Sequence, residues 1–270
     1  MLFRSDALIG VFSVQSVLAN AYGPREQGLL HTLAGYVAIA VDNAHAWREQ
    51  QRTLEALREA QAALERASLT DPLTGLWNRR FIEPRIDAAA RRLAAPPAGG
   101  DPPLSLLMLD LDHFKRINDE HGHAVGDQAL RAVAQALQAE LRPADLAARW
   151  GGEEFIVAAF DTDLAGATRL AERIRLAVAA LQLPAGPGAP LRMSCSVGVA
   201  AFPTWPARPT AQPWKHALAL ADRALYAAKA AQRNAVWCAL PGAMPQADAL
   251  HRPASELLSQ GHVTLLSARS

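Results

Sequence analysis

The chain has 270 residues, 50% of them hydrophobic and 20% charged, and its 27 basic and 26 acidic residues leave a net charge of +1. That balance suits one or two globular domains with a real core, and it excludes wholesale disorder, a collagen-like repeat and a disulfide-rich secreted scaffold. It gives no support for a non-specific nucleic-acid or membrane-surface binder, so any phosphate binding must come from local placement of charge.

Alanine is about a fifth of the chain, which blurs helical periodicity because Ala suits either face of a helix. No apolar run approaches the roughly 20 residues needed to span a bilayer. The apolar start is too short and too polar for a secretory signal, so a cytoplasmic protein without a transmembrane segment is expected. Cys195 and Cys238 lack metal-like or redox-like spacing and read as neutral buried thiols.

In chain order, Ala7 to Ser16 reads as a strand. A helical pattern opens at Pro24, which suits a first turn, and runs without proline to about Ala67. Within it Trp47, Gln50, Leu54, Leu57, Gln61 and Leu64 keep a heptad seam amid Glu, Arg and Gln, as in a short two-stranded coiled coil. A single solvated helix is the other reading of that seam. Ser68 to Pro72 breaks the helix. Then come a helix over Arg79–Leu93, a Pro/Gly loop over 95–103 and a continuous apolar strand, Leu104–Leu109, ending in Asp110. A helix over Asp127–Leu141 precedes a strand, tight turn and strand over Leu146–Phe160, turning at Gly151 and Gly152. A helix over Leu164–Leu181, a loop over 184–190, a strand over Met193–Ala201, a loop over 203–213, a helix over Trp214–Ala231 and a strand over Asn234–Ala239 follow. Residues 241–270 show no periodicity and read as a disordered tail.

The chemistry concentrates at two places. Asp110 lies where an apolar strand emerges, and Asp112 is two residues on, which in extended chain puts both on one face. The turn Gly151-Gly152-Glu153-Glu154 sets two acids beside two glycines that let a ligand approach the backbone. Hard cations such as Mg²⁺ take carboxylate oxygens with phosphate as co-ligand, and two such ions can clamp the attacking and leaving oxygens of a phosphoryl transfer. Either feature alone is as well explained by an exposed loop or an ordinary hairpin.

Five ordered segments carry a family resemblance. Gly-Gly-Glu-Glu-Phe at 151–155 resembles the signature of the GGDEF family, the diguanylate cyclases, in its GGEEF form. Asp71-Pro-Leu-Thr-Gly-Leu-Trp-Asn-Arg79 resembles the opening D-x-L-T-G-L-x-N-R, and Asp110-Leu-Asp-His-Phe-Lys-Arg-Ile-Asn118-Asp resembles D-x-D-x-F-K-x-I-N-D. Gly122-His-Ala-Val-Gly-Asp127 resembles G-H-x-x-G-D. Ala221-Asp-Arg-Ala-Leu-Tyr-Ala-Ala-Lys229 with Arg233-Asn234 resembles the closing A-D-x-A-L-Y-x-A-K…G-R-N.

The resemblance implies an α/β fold with a mostly antiparallel central sheet flanked by helices, of nucleotidyl-cyclase type, behind an N-terminal helical stalk. It implies condensation of two GTP to cyclic di-GMP with release of two pyrophosphates, across a homodimer holding one GTP per domain and two Mg²⁺ (or Mn²⁺) ions per half-site. Asp110, Glu153 and the carbonyl of Leu111 resemble the metal ligands. Glu154 resembles either a further metal ligand or a residue helping to take the 3′-hydroxyl proton. Asn118 and Asp127 resemble guanine readers, Gly151 and Gly152 leave room for the triphosphate, and Lys115, Lys229 and Arg233 resemble phosphate contacts. Asp112 is equally suited to orienting the loop, and His121 and His123 read as structural.

Arg142-Pro-Ala-Asp145 stands five residues before Gly151 and resembles the family's RxxD inhibitory site, with Arg173 completing it. Product inhibition by cyclic di-GMP is implied. The alternative is a catalytically weak cyclic di-GMP receptor, which the retained Glu153 disfavours. Residues 1–47 resemble the last strand and closing helix of a GAF domain, too short to be a whole one. The expected organisation is therefore 1–47 partial GAF-like, 48–67 coiled-coil linker, 68–240 cyclase domain and 241–270 tail.

Overall fold

The computed structural model describes residues 2–4, 7–11, 13–17, 21–94, 103–184, 190–205, 207, 213–245 and 252–268, with the side chains of 2–4, 7–9 and 60–67 outside the description. The chain divides into two compact units, Met1–Arg66 and Ala67–Ser270. The first holds β1 (Leu2–Arg4) and β2 (Ala7–Gly10), paired antiparallel, and most of α1 (Pro24–Leu69). The expected strand over Ala7–Ser16 stops at Gly10. Among the described residues it pairs with the short β1, whose register ends at Leu2 opposite Gly10.

Along α1, Leu29, Leu33, Tyr36, Trp47, Leu54 and Leu57 are exposed at alternating three- and four-residue spacing or multiples of it. Val37, Ile39 and Val41, off that spacing, are exposed as well. The side chains of Gln61 and Leu64, which the sequence adds to the seam, lie outside the described residues.

The second unit contains β3 (Trp77–Asn78), α2 (Arg79–Ala94), β4 (Leu104–Leu111), α3 (Phe114–His121), α4 (His123–Glu140), β5 (Leu146–Gly151), β6 (Glu154–Ala159) and α5 (Leu164–Ala180). It continues through β7 (Gln182–Leu183), β8 (Leu191–Arg192), β9 (Cys195–Phe202), α6 (Trp214–Ala230), β10 (Val236–Pro241), α7 (Ala254–Ser259) and β11 (Val263–Ser267). Seven strands form one sheet in the order β11-β10-β9-β4-β6-β5-β3. β9–β10 and β3–β5 are parallel and the other four pairs antiparallel, the mixed, mostly antiparallel sheet that was expected. β7 and β8 form a small hairpin apart from it.

β4 is buried along its whole length because both faces of the sheet are covered. Leu107, Leu109 and Leu111 join a core with Leu130, Val133, Leu137 and Ile174 from α4 and α5. Leu104, Leu106 and Met108 join a second core with Ile82, Ile86, Trp214 and Leu225 from α2 and α6. Gly198 on β9 permits the second layer. A Cβ there would overlap the Ala221 carbonyl and the Leu225 amide of α6, backbone atoms that cannot move aside. This close approach sets the height of α6, and with it Lys229, above the end of β4.

The tail reading is overturned. Ala254–Ser259 is helical and Val263–Ser267 pairs antiparallel with β10, with Leu257 fully buried and Val263 nearly so in the second core. Trp205 Nε1 donates to the Gly242 carbonyl at 3.3 Å, and Gly242 N donates to the His262 carbonyl at 2.8 Å. A six-residue helix and a five-residue strand are too short to show a period of their own. α7 and β11 gain their stability from α6 and β10. Residues 246–251 lie outside the described residues, as do 95–102 and 185–189 of the loops expected from Pro and Gly.

Candidate active site

β4 delivers Asp110 to the end of the sheet, where it stands opposite Glu154 of β6 on one side and Ser196 of β9 on the other. Two acids directly opposite repel each other. Lys229, in the last turn of α6, answers the charge with Nζ 2.7 Å from Asp110 Oδ2. Asp110 is only 6% exposed. Burial, with help from Glu153 and Asp112, outweighs Lys229 and holds its carboxyl above the ordinary range. Burial, followed by the charge of Asp110, likewise raises Glu154.

The signature turn links β5 and β6. Its register shifts between Arg149 and Gly151, and Gly152 takes a positive φ of 49° that a larger residue would resist. Glu153 is half-buried at the tip, and its carbonyl accepts a long 3.4 Å bond from Leu111 N. Asp110, Leu111, Glu153 and Glu154 are thus gathered at one point. Among the described residues no three His, Cys, Asp or Glu side chains form a closed metal cage. Buried Asp110 beside half-buried Glu153 and Glu154 is an oxygen donor set of the kind a hard divalent cation takes.

α3 was missed by the sequence reading, yet it places a predicted site residue. It begins after His113 in a left-handed conformation (φ 58°) and carries exposed Lys115 and half-buried Asn118. Asn118 lies against the start of α4: a Cβ on Gly126 would overlap its Oδ1, and Asp127 is the next residue. The proposed guanine readers are therefore neighbours. Arg233 is exposed in the loop after α6.

The Asp112 carboxylate is engaged within the protein. Its two oxygens accept hydrogen bonds from Ser196 Oγ (2.7 Å), Ser194 Oγ (2.7 Å) and the Asn234 amide (2.9 Å). His121 stands 3.9 Å from Glu120, away from the acidic cluster. Both cysteines are buried and free, and burial raises each thiol above its ordinary range.

Arg142, Asp145 and Arg173 are brought together, lining one cleft with Glu140, Gly166 and Arg169. Arg173 is held by Glu140, with Nε 2.9 Å from Oε2 and Nη2 2.7 Å from the carbonyl oxygen. Asp145 Oδ2 accepts from Arg142 N at 3.1 Å, while its Oδ1 is buried with no hydrogen-bond partner. Arg169, one helical turn before Arg173, was not foreseen.

Arg149 was also missed. Its Nη1 reaches both oxygens of Asp71 at 3.2 and 3.1 Å, and its Nε donates to the Gly152 carbonyl at 2.8 Å. Burial alone would raise the Asp71 carboxyl, but hydrogen bonds from Thr74 and the Arg149 charge hold it below the usual range. Arg79 lies 4.3 Å over the Trp150 ring, a second tie between the 71–79 segment and the signature strand. The available signal was a charged residue inside the apolar pattern Leu146–Trp150, which needs a partner. Arg149→Met should destabilise the domain by about 1–3 kcal/mol, because the half-buried Asp71 loses its ion-pair partner and keeps only the hydrogen bonds from Thr74. It should also loosen the Gly152 turn, whose carbonyl accepts from Arg149 Nε. Thermal melts and amide exchange at the turn check the two effects, and an unchanged melt would remove the structural role.

A protein-family model described as "Diguanylate cyclase, GGDEF domain" matches residues 68–235. The chain belongs to the GGDEF family. The response regulator PleD of Caulobacter vibrioides is 43% identical over 170 residues, covering 63% of this chain and 36% of PleD. The diguanylate cyclase DosC of Escherichia coli is 40% identical over 166 residues, covering 62% of this chain and 34% of DosC. The chain thus spans about a third of the length of these curated relatives. Among solved structures, the coiled coil and GGDEF domain of DgcB from Caulobacter crescentus, in complex with c-di-GMP, aligns with a TM-score of 0.65 at 29% identity. It covers 72% of this chain and 98% of that one. The match to the family ends at Ala235, so β10, α7 and β11 lie beyond it.

Proposed function

We propose that the chain is a diguanylate cyclase that condenses two GTP into cyclic di-GMP and releases two pyrophosphates. The observation that carries this is Asp110 opposite Glu154, beside the Gly151–Glu154 turn and under Lys229. Relatives named diguanylate cyclases support it. In each of two steps a 3′-hydroxyl attacks the α-phosphorus of the other GTP, and the bond to the β-phosphate oxygen breaks. Asp110, Glu153 and the Leu111 carbonyl would hold Mg²⁺ or Mn²⁺, which supplies Lewis-acid stabilisation of the phosphoryl oxygens. Gly151 and Gly152 admit the triphosphate, and Lys115, Lys229 and Arg233 offset its charge. Asp127 accepts from guanine N1–H and N2–H, donors that adenine lacks as a pair, and Asn118 meets the acceptor edge. Glu154, held above the ordinary carboxylate range, is suited to accept the 3′-hydroxyl proton.

Two half-sites must meet, so the working form is a homodimer. The exposed seam from Leu29 to Leu57 supports pairing of α1 with its copy as a coiled coil. The β1–β2 hairpin and the start of α1 are read as the end of a GAF-like domain. No described helix is long and apolar enough to cross a membrane, and a cytoplasmic setting is the reading consistent with free buried thiols. The direct test is incubation of the purified chain with GTP and Mg²⁺. Cyclic di-GMP is the expected product, and folded protein that binds cyclic di-GMP without making it would indicate a receptor.

Arg142, Asp145 and Arg173 are read as a product-inhibition site. The unpartnered, buried Asp145 Oδ1 is an acceptor suited to guanine N–H groups, and arginine can fork onto phosphate or the guanine O6/N7 edge. Arg142→Ala is expected to raise the plateau of cyclic di-GMP and to abolish inhibition by added product. Unchanged sensitivity in that variant would reject the site.

A further inference from the structure

α6 ends in an unusual way. Ala231 N donates to the Ala227 carbonyl at 2.9 Å and Arg233 N to the Ala228 carbonyl at 3.0 Å, the pattern of a helix closed by a left-handed residue. That residue is Gln232 (φ 79°), and Arg233 (φ 63°) and Asn234 (φ 45°) are left-handed as well. Three successive non-glycine residues in this region persist only where the surroundings dictate them.

The surroundings here are two buried charges that the catalytic reading does not use. Asp112, 5% exposed, accepts the Asn234 amide at 2.9 Å while Ser194 and Ser196 fix its carboxylate. Arg175, 4% exposed on α5, donates from Nη1 to Asn234 Oδ1 at 2.6 Å. Glu172 grips the rest of that guanidinium, at 2.8 Å from Nε and 2.6 Å from Nη2. Asn234 is thus held at its backbone by the strand end that carries Asp110 and at its side chain by the helix on the other face of the sheet.

We infer that Asp112, Arg175 and Asn234 form a clasp that fixes the strained 232–234 loop so that Arg233 meets the GTP phosphates, which makes them positioning residues for substrate binding. This rests on the cyclase reading of Arg233. Asn234→Gly keeps the amide for Asp112 and the left-handed backbone, and removes only the acceptor for Arg175. Binding of 3′-deoxy-GTP with Mg²⁺, which lacks the attacking hydroxyl, should weaken by about tenfold in calorimetry, with KM for GTP rising in parallel and kcat changing less. Asn234→Asp restores an acceptor and should restore affinity. In an Arg233→Ala background, Asn234→Gly should add no more than about twofold, since the two act through one contact. Arg175→Lys, which cannot reproduce the fork, is a second variant read the same way should the first fail to fold. Unchanged affinity in these variants, or an undiminished effect without Arg233, would overturn the clasp alone. A native chain that binds no 3′-deoxy-GTP would overturn the cyclase reading, and the clasp's role with it.

Discussion

Asp110→Asn is expected to reduce cyclic di-GMP formation by at least roughly a thousandfold, the effect of losing several kcal/mol of transition-state charge stabilisation. The same substitution should leave the melting temperature unchanged or raise it. The sign follows from the raised carboxyl of Asp110. Burial disfavours its charged form, so above the folded-state pKa the carboxylate costs stability that a neutral amide of equal shape does not. As pH falls through that pKa the native protein gains relative stability from this group and the difference from the variant closes. Initial rates from GTP, with melts across pH, read both effects. Glu153→Gln should parallel the loss of rate, and turnover within about tenfold of native in both variants would sink the metal-ligand assignment. A lowered melting temperature for Asp110→Asn would show that its pairing with Lys229 outweighs its burial.

Leu257→Ala is the second large effect. Leu257 is fully buried between α7 and the second core, and truncating a buried leucine costs roughly 2–5 kcal/mol. For a unit of this size the melting temperature should fall by about 5–15 °C, at roughly 2–4 °C per kcal/mol. Calorimetric or fluorescence melts measure it. A shift below about 1 °C would mean that α7 and β11 do not contribute to the fold. The affinity for GTP should hold, because Leu257 touches none of the acidic cluster.

What the sequence made legible follows from how local each signal was. β4 was readable because a strand covered on both faces is a continuous apolar run, Leu104 to Leu109, and the structure extends it to Leu111. α3 was not, because its eight residues sit inside a motif and it opens on a left-handed His113 rather than a capping side chain. The two-residue β7 and β8 flank a Pro/Gly loop and exist only as each other's partners. The acidic cluster was foreseen residue by residue, since its members stand in ordered motifs. Arg149 and Arg175 were not, because their partners Asp71 and Asn234 lie 78 and 59 residues away in sequence, a separation with no periodic trace. For Asp112 the sequence left two readings open, and its three hydrogen bonds match the loop-orienting one.

The position of β4 in the sheet has a consequence for how the molecule fails. It is the middle strand of seven, flanked by β6 and β9 and covered on both sides. Amide hydrogens in such a strand exchange only in the last opening events, so Asp110 is anchored to the part of the chain that unravels last. Mild heat or denaturant should first release the outer strands and the hairpin of β7 and β8, with the carboxylate still in register opposite Glu154. The chemistry is built on the least yielding strand of the fold, and slow deuterium uptake at Leu109 and Leu111 would be its signature.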